Sequence, residues 1–325
     1  MRELQVHAYA AEHLGDVAQL LAERHGRHRR AEPRLSARFT DPEVVALEIG
    51  AVAAASRVSG SVATRRGRVV GYLLGAPKDN PVWGPNVWVE SVGQALAVDE
   101  GAETMRHLYA AAATHWVAAG RTAHYVVTPA HDEPVIRAWF ELGFGRQHTH
   151  ALRDPLRHPT GPPAGLTVRH ARREDIPALA RLELVLPQAQ GRSPCFSSGG
   201  TPALEQVLAE WEADFGDPDF TTFVAESNGE VIGSAIGCSL AKSTTNTGLI
   251  RPDNAAFLGF AAVFPPARGM GAGRALGEAV LSWAATAGYP VVATDWRQTN
   301  VLSSRAWPAL GFTPTFHRLH RSIGY

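Results

Sequence analysis

The chain states one pattern twice. Ala138-Trp139-Phe140-Glu141-Leu142-Gly143-Phe144 is matched 168 residues later by Ala306-Trp307-Pro308-Ala309-Leu310-Gly311-Phe312. Val62-Ala63, Gly67, Val69-Val70-Gly71 and Gly75 are matched by Val224-Ala225, Gly229, Val231-Ile232-Gly233 and Gly237; each set reads as two short apolar strands around a polar glycine turn. Residues 6–20 and 168–182 share an extended start and then apolar positions at helical spacing. The offset is 162 residues early and 168 late, which marks one duplication with small insertions. The length of 325 residues gives each copy enough chain for its own core. The Pro- and Gly-rich stretch 157–165 disfavours helix and strand, and divides the chain into 1–157 and 158–325. Strands alternate with helices in each half, so a mixed α/β sheet with helices on its faces is expected twice.

The second copy carries the chemistry. Residues 257–264 are an apolar run that reads as a buried strand, ended by Pro265-Pro266. Arg268-Gly269-Met270-Gly271-Ala272-Gly273 then leads into a helical pattern. A glycine turn feeding a helix start leaves several N–H groups unpaired at one point, with the helix dipole behind them, which suits a pyrophosphate. Glycine is needed there because a Cβ holds a phosphate off the backbone, and Arg268 adds a charge-assisted contact at the mouth. The dinucleotide fingerprint fails, since Arg274 stands where its third glycine belongs; the P-loop fails for want of Gly-Lys-Ser/Thr.

What remains, Arg-x-x-Gly-x-Gly after Val-Phe-Pro-Pro, resembles the acetyl-CoA loop of the GNAT (GCN5-related N-acetyltransferase) superfamily. Residues 291–297 read as a further buried strand, and Asn300, Ser303, Trp307, Gly311 and Phe312 then fall at the family's spacing. The likeness covers residues 255–312. It implies tandem GNAT-like domains, each with a central, mostly antiparallel mixed sheet flanked by helices. It also implies that the strands before and after the glycine loop splay apart to admit a pantetheine arm. By the same resemblance Ala262, Val263, Phe264, Arg268, Gly269, Met270, Gly271, Ala272, Gly273 and Arg274 hold acetyl-CoA, Asn300 and Ser303 contact its arm, and an N–H near Val263 holds the thioester carbonyl.

The first copy differs where it matters. In place of the glycine loop it has Val98-Asp99-Glu100-Gly101-Ala102-Glu103-Thr104, whose three carboxylates repel a pyrophosphate in a low-dielectric cleft. Asp132 replaces Asn300. The N-terminal half is therefore expected to be a degenerate, structural copy, and the C-terminal half the one that binds acetyl-CoA and catalyses.

Basic and acidic residues balance at 31 each, so no bulk field favours nucleic acid or an anionic membrane. The basic stretch 24–38 reads as a solvated helix end and loop. There is no apolar run of membrane-spanning length, and a polar, acid-bearing N-terminus is unlike a secretory signal. Two isolated cysteines, Cys195 and Cys238, fit a cytoplasmic protein. His148, His150, His317 and His320 form the tightest histidine pairs, but no Cys or third His lies near His148 and His150 in sequence, so no metal is expected.

The expected reaction is transfer of an acetyl group from acetyl-CoA to an amine of a small-molecule acceptor, by direct attack in a ternary complex, in a monomer or homodimer. Trp307 stands where relatives often carry a tyrosine acid; Tyr289 and Tyr325 are the substitutes offered by the sequence. Asp295, Glu226 and His317 are the candidate bases, beside a base acting through water. Residues 186–216, with Glu205, Glu210, Glu212 and Asp214, are expected to shape the acceptor site. A mycothiol-synthase-like enzyme is a narrower form of this reading, since it also pairs two such domains. A non-catalytic acyl-CoA-binding sensor or scaffold is the alternative.

Overall fold

The order of elements follows the sequence repeat. In the computed structural model, which describes residues 4–197, 200–244 and 246–324, the first half runs β1 (Gln5–Ala8), α1 (Leu14–Ala31), α2 (Pro42–Ala53), β2 (Ser59–Arg65), β3 (Arg68–Gly75), β4 (Asn86–Val89), β5 (Gln94–Leu96), α3 (Glu103–Ala118), β6 (Ala123–Pro129), α4 (Glu133–Glu141) and β7 (Gly145–Arg153). The second runs β8 (Thr167–His170), α5 (Ile176–Gln190), α6 (Leu204–Asp214), β9 (Phe220–Ser227), β10 (Glu230–Ser239), β11 (Ala255–Val263), α7 (Ala272–Thr286), β12 (Val291–Arg297), α8 (Val301–Ala309) and β13 (Thr313–Ser322). Both hairpins turn on a non-glycine followed by glycine at positive φ, Arg66-Gly67 and Asn228-Gly229, the backbone that suits twisted antiparallel strands.

By packing, the chain divides differently from its sequence halves. One unit holds residues up to 149 together with 247–252 and 314 onwards; the other holds 150–246 and 253–313. The first unit has an antiparallel sheet in the order β1-β2-β3-β5 and a second group in which β6 pairs parallel with β4 and antiparallel with β13. Its core is aromatic: Trp139 packs edge-on against Tyr109 and Phe144, and Tyr72, Phe39 and Phe316 are fully buried. The second unit runs β8-β9-β10-β11 antiparallel and adds β12 parallel to β11. Leu276, Val280 and Leu281 of α7 close one face of this sheet against Ala225, Ala235, Ala256 and Val292. No helix among the described residues is long and apolar enough to cross a membrane.

The basic stretch of α1 is not the solvated surface that its composition suggests. Arg24, His25 and His28 are buried, and Arg29 Nε donates to Leu35 O at 2.8 Å. Guanidinium groups can be buried when backbone carbonyls accept hydrogen bonds from their N–H groups, an option that charge counting does not reveal.

Candidate functional site

The site in the second unit begins with an irregularity in β11. Ile236 pairs with Phe260 and Gly237 with Leu258, so Gly259 has no partner on β10 and forms a bulge, which bends the strand. On its other edge β11 pairs with β12 only at Ala255–Val291, Ala256–Val292 and Phe257–Ala293. Both strands continue, to Val263 and Arg297, as the prongs of a fork. Thr294 Oγ1 donates to Leu258 O at 2.9 Å near its base. The Phe264 N–H donates to Ile232 O at 2.9 Å, and antiparallel bonding alternates along a strand. The N–H groups of Val263 and Ala261 therefore point into the fork.

The glycine loop follows one short turn later. Gly269 and Gly271 sit at φ 84° and 88°, where a side chain is strained, and a Cβ on Gly271 would also meet Pro163 Cγ at 2.8 Å. Gly273 is different. It lies in the first turn of α7, and a Cβ there would find nothing closer than Val263 Cγ2 at 3.8 Å. Neither backbone nor packing requires glycine at 273, although glycine costs a helix about 0.5–1 kcal/mol relative to alanine. Ala272, Gly273 and Arg274 have no helical carbonyl to bond, and no described residue accepts from their N–H groups. Arg268 is exposed at the mouth with no ion pair among the described residues, whereas Arg274 Nε is held by Glu278 Oε1 at 2.8 Å.

Asn300 buries its side chain at the start of α8, where Oδ1 accepts from Leu302 N at 3.2 Å and Ser303 N at 3.3 Å. That is an N-cap, and it leaves the Nδ2 donors for something else. Loop, fork and cap enclose one cavity of about 440 Å³. It is lined by Ala262, Val263, Arg268, Gly269, Gly271, Ala272, Gly273, Arg274, Asn300 and Ser303. Phe264 and Met270 are not on its wall; Met270 is exposed at the loop tip. Val185, Leu186 and Ala189 supply an apolar wall from α5; sequence reading left Val185 out and placed the other two only in the segment expected to shape the acceptor site. Their spacing is that of any core-facing helix, so it carried no signal of a ligand. Trp307 lines the cavity and also packs on Phe312 with ring centroids 6.2 Å apart.

The proton-handling candidates lie elsewhere. Asp295 is not on the cavity wall; its Oδ2 accepts from Asn246 Nδ2 at 3.2 Å, and Asn246 Oδ1 meets His150 Nδ1 at 2.9 Å. Glu226 is ion-paired with Arg169. His317 bonds Thr149 Oγ1 at 3.1 Å in the other unit. Tyr289 tilts against Trp283 at 5.6 Å, and Tyr325 lies outside the described residues.

Residues 189–312 match the model of the acetyltransferase (GNAT) family. That match lies wholly within the second half of the chain. A GCN5-related N-acetyltransferase from Sphaerobacter thermophilus superposes over 99% of this chain and 97% of its own, with a TM-score of 0.55 at 16% identity, so the fold is shared over the full length. A tandem GNAT protein from the clavulanic acid biosynthesis pathway is aligned over 99% of both chains at 20% identity, with a TM-score of 0.49. No curated protein matches the sequence.

Set beside the second half, the first half shows its equivalent fork filled. Gly71 pairs with Leu96 as Gly233 pairs with Val263, so β5 corresponds to the end of β11. Carbonyls of β5 and of the turn before it are taken: Arg24 donates to Gln94 O and, at 2.8 Å, to Ser91 O, and Arg27 donates to Leu96 O at 3.0 Å. Burial lowers the Arg24 pKa to about 10, which leaves it charged at neutral pH. The gap toward β6 is bridged by Gln94, whose Nε2 donates to Val127 O at 2.8 Å and whose Oε1 accepts from Trp139 Nε1 at 3.2 Å. The loop's acids are engaged as well, Glu100 with Arg65 at 2.8 Å, Asp99 with Arg68 at 2.8 Å and Glu103 with Arg106 at 3.0 Å. The hydrogen bonds from Arg65 hold the Glu100 carboxyl below its usual range. Gln94→Leu keeps the volume but leaves a buried carbonyl and an indole N–H without partners, at about 1–3 kcal/mol each. We expect denaturant unfolding to show a loss of about 2–5 kcal/mol. An unchanged unfolding midpoint would mean the bridge contributes nothing.

Proposed function

We propose that the chain is an N-acetyltransferase that moves the acetyl group of acetyl-CoA to an amine of a small-molecule acceptor, with the cofactor in the second half and a structural first half. One observation carries this reading: the inward N–H of Val263 and the unpaired amides of Ala272, Gly273 and Arg274 border the same cavity. The loop amides, the α7 dipole and Arg268 suit the pyrophosphate. The fork, Asn300 Nδ2 and Ser303 suit the amide-bearing arm. The Val263 N–H, beside that of Ala261, is aimed where an oxyanion forms when an amine nitrogen attacks the thioester carbon; such a donor contributes ~10²–10³ in rate. The C–S bond then breaks and the thiolate leaves unaided, since a thiol of pKa about 8.5 is a fair leaving group. With Asp295 off the cavity wall, water carries the ammonium proton away.

Asn300 has two roles in this account, and a conservative variant separates them. Asn300→Asp keeps the capping oxygen and removes the Nδ2 donors; its melting temperature should match wild type while acetyl-CoA binds about tenfold more weakly. Asn300→Ala should lose about 1 kcal/mol of stability as well. Equal affinities for all three would remove Asn300 from the cofactor site.

The reaction itself is tested by following CoA thiol release across a panel of amines. Amine-dependent release is expected. Tight binding of acetyl-CoA with release no faster than hydrolysis for every amine would favour a non-catalytic acyl-CoA-binding module, a reading motivated by Trp307 on a wall with no carboxylate or tyrosine among the described residues.

A further inference from the structure

The second unit holds another cavity, of about 560 Å³, lined by α5, α6, the segment after α6 and the facing ends of β8 and β9. Its size lies within the ~300–1,000 Å³ of small-molecule sites. Two kinds of group meet there. Trp211, Phe215 and Trp283 supply aromatic surface, and Glu183, Glu210, Asp214 and Asp217 supply carboxylates. No lysine or arginine lines it, and none of those four acids has an ion pair among the described residues. Two cations of the same unit lie near it but are paired outside it: Arg173, whose guanidinium sits 5.8 Å over the Phe215 ring, with Glu212 at 2.6 Å, and Lys242, within electrostatic reach of Asp217, with Asp219. Glu183 stands apart from the surface acids. It is half-buried, and its Oε2 accepts from Trp211 Nε1 at 2.7 Å, which leaves Oε1 without a partner among the described residues. Burial, with Glu210 adding to it, holds its carboxyl above the usual range.

We propose that this cavity is a binding site for an organic ammonium ion, a protonated amine carried on an apolar body. Carboxylates without an ion pair in a concavity, Glu183, Glu210 and Asp214 above all, focus a negative potential, and the potential draws a cation in. Ring faces then hold the cation by their quadrupoles, and the apolar body buries against the same rings. A neutral ligand would leave the carboxylates uncompensated, and an anion would be repelled. The α5 helix presents Glu183 here and Val185, Leu186 and Ala189 to the cofactor cavity, yet the two sites share no lining residue. Occupancy therefore does not depend on acetyl transfer and is measured without acetyl-CoA.

The test is a calorimetric and tryptophan-fluorescence titration of the full chain with 2-phenylethylammonium, against 2-phenylethanol as its uncharged counterpart. We expect saturable one-site binding of the cation, tighter than the alcohol by about tenfold or more, with quenching from Trp211 and Trp283. Glu183→Gln retains an acceptor for the Trp211 indole and should fold normally, yet weaken the cation about tenfold. Glu210→Gln, on the exposed rim, is the second variant and should weaken it in the same direction. Glu205→Gln on the same helix, off the cavity wall, should change nothing. The proposal is overturned if the cation binds no better than the alcohol, or if Glu183→Gln and Glu210→Gln both bind it as wild type does. It is equally overturned if Glu205→Gln weakens binding as much as they do.

Discussion

Gly273→Asp will bind acetyl-CoA about a hundredfold or more weakly than wild type while melting no lower. The two halves of this expectation come from different physics. For the fold, position 273 has helical backbone and room for a side chain, with Val263 Cγ2 at 3.8 Å as the nearest atom. Removing a glycine from the first turn of α7 and placing an acid near its positive end each favour the helix, by about 0.3–1 kcal/mol. For the ligand, the same carboxylate stands where the proposed site brings the pyrophosphate to the backbone. Two like charges ~4 Å apart at an effective dielectric near 20 repel by about 4 kcal/mol, of which Arg268 and Arg274 screen a part. Gly271 is the less informative choice, because φ 88° and Pro163 confound any loss of binding with strain. A Gly273→Asp protein that binds like wild type would move the phosphate away from this loop.

Acid will unfold the first unit well before its carboxylates titrate. Burial, together with the positive charge of Arg24 nearby, lowers the pKa of His25 to about 4. Burial and the neighbouring His131 lower His28 to about 2, and burial beside Arg146 lowers His317 to about 3. Each is neutral in the folded protein and regains its ordinary value near 6.5 on unfolding. The unfolded chain thus binds more protons between pH 6.5 and pH 4, so stability is complete above pH 6.5 and falls as the pH is lowered through that window. Each histidine contributes about 1.4 kcal/mol per pH unit, and the three together about 4 kcal/mol per unit. Urea unfolding at pH 7.5 and pH 5.5, read by the near-ultraviolet signal, should show the midpoint fall steeply. Identical midpoints would mean that these imidazoles are already hydrated in the folded state.

Much of the site was legible because its chemistry is carried by backbone. A strand, glycines and a helix start have few ways to fold, so the glycine loop and its flanking strands lie where their spacing indicated, while the capping role of Asn300 was seen only in the structure. Side-chain wiring was not legible. Arg24 and Arg27 belonged to a basic stretch that composition assigns to solvent, and only the fold shows them bonded to the β5 carbonyls. Gln94, which bridges the first-half gap, had no feature in sequence to set it apart from a surface glutamine. The same holds for Asp295, whose place on β12 fixes its register but not what its carboxylate meets. The glycines also divided unevenly: two are required by φ, and one, Gly273, by nothing within the protein.

The most direct test of a single cofactor site is the stoichiometry of acetyl-CoA in calorimetric titration of the full chain. One equivalent bound with micromolar affinity, and none bound by Gly273→Asp at the same concentrations, is the predicted result. Two equivalents, or no binding by well-folded wild type, would contradict it.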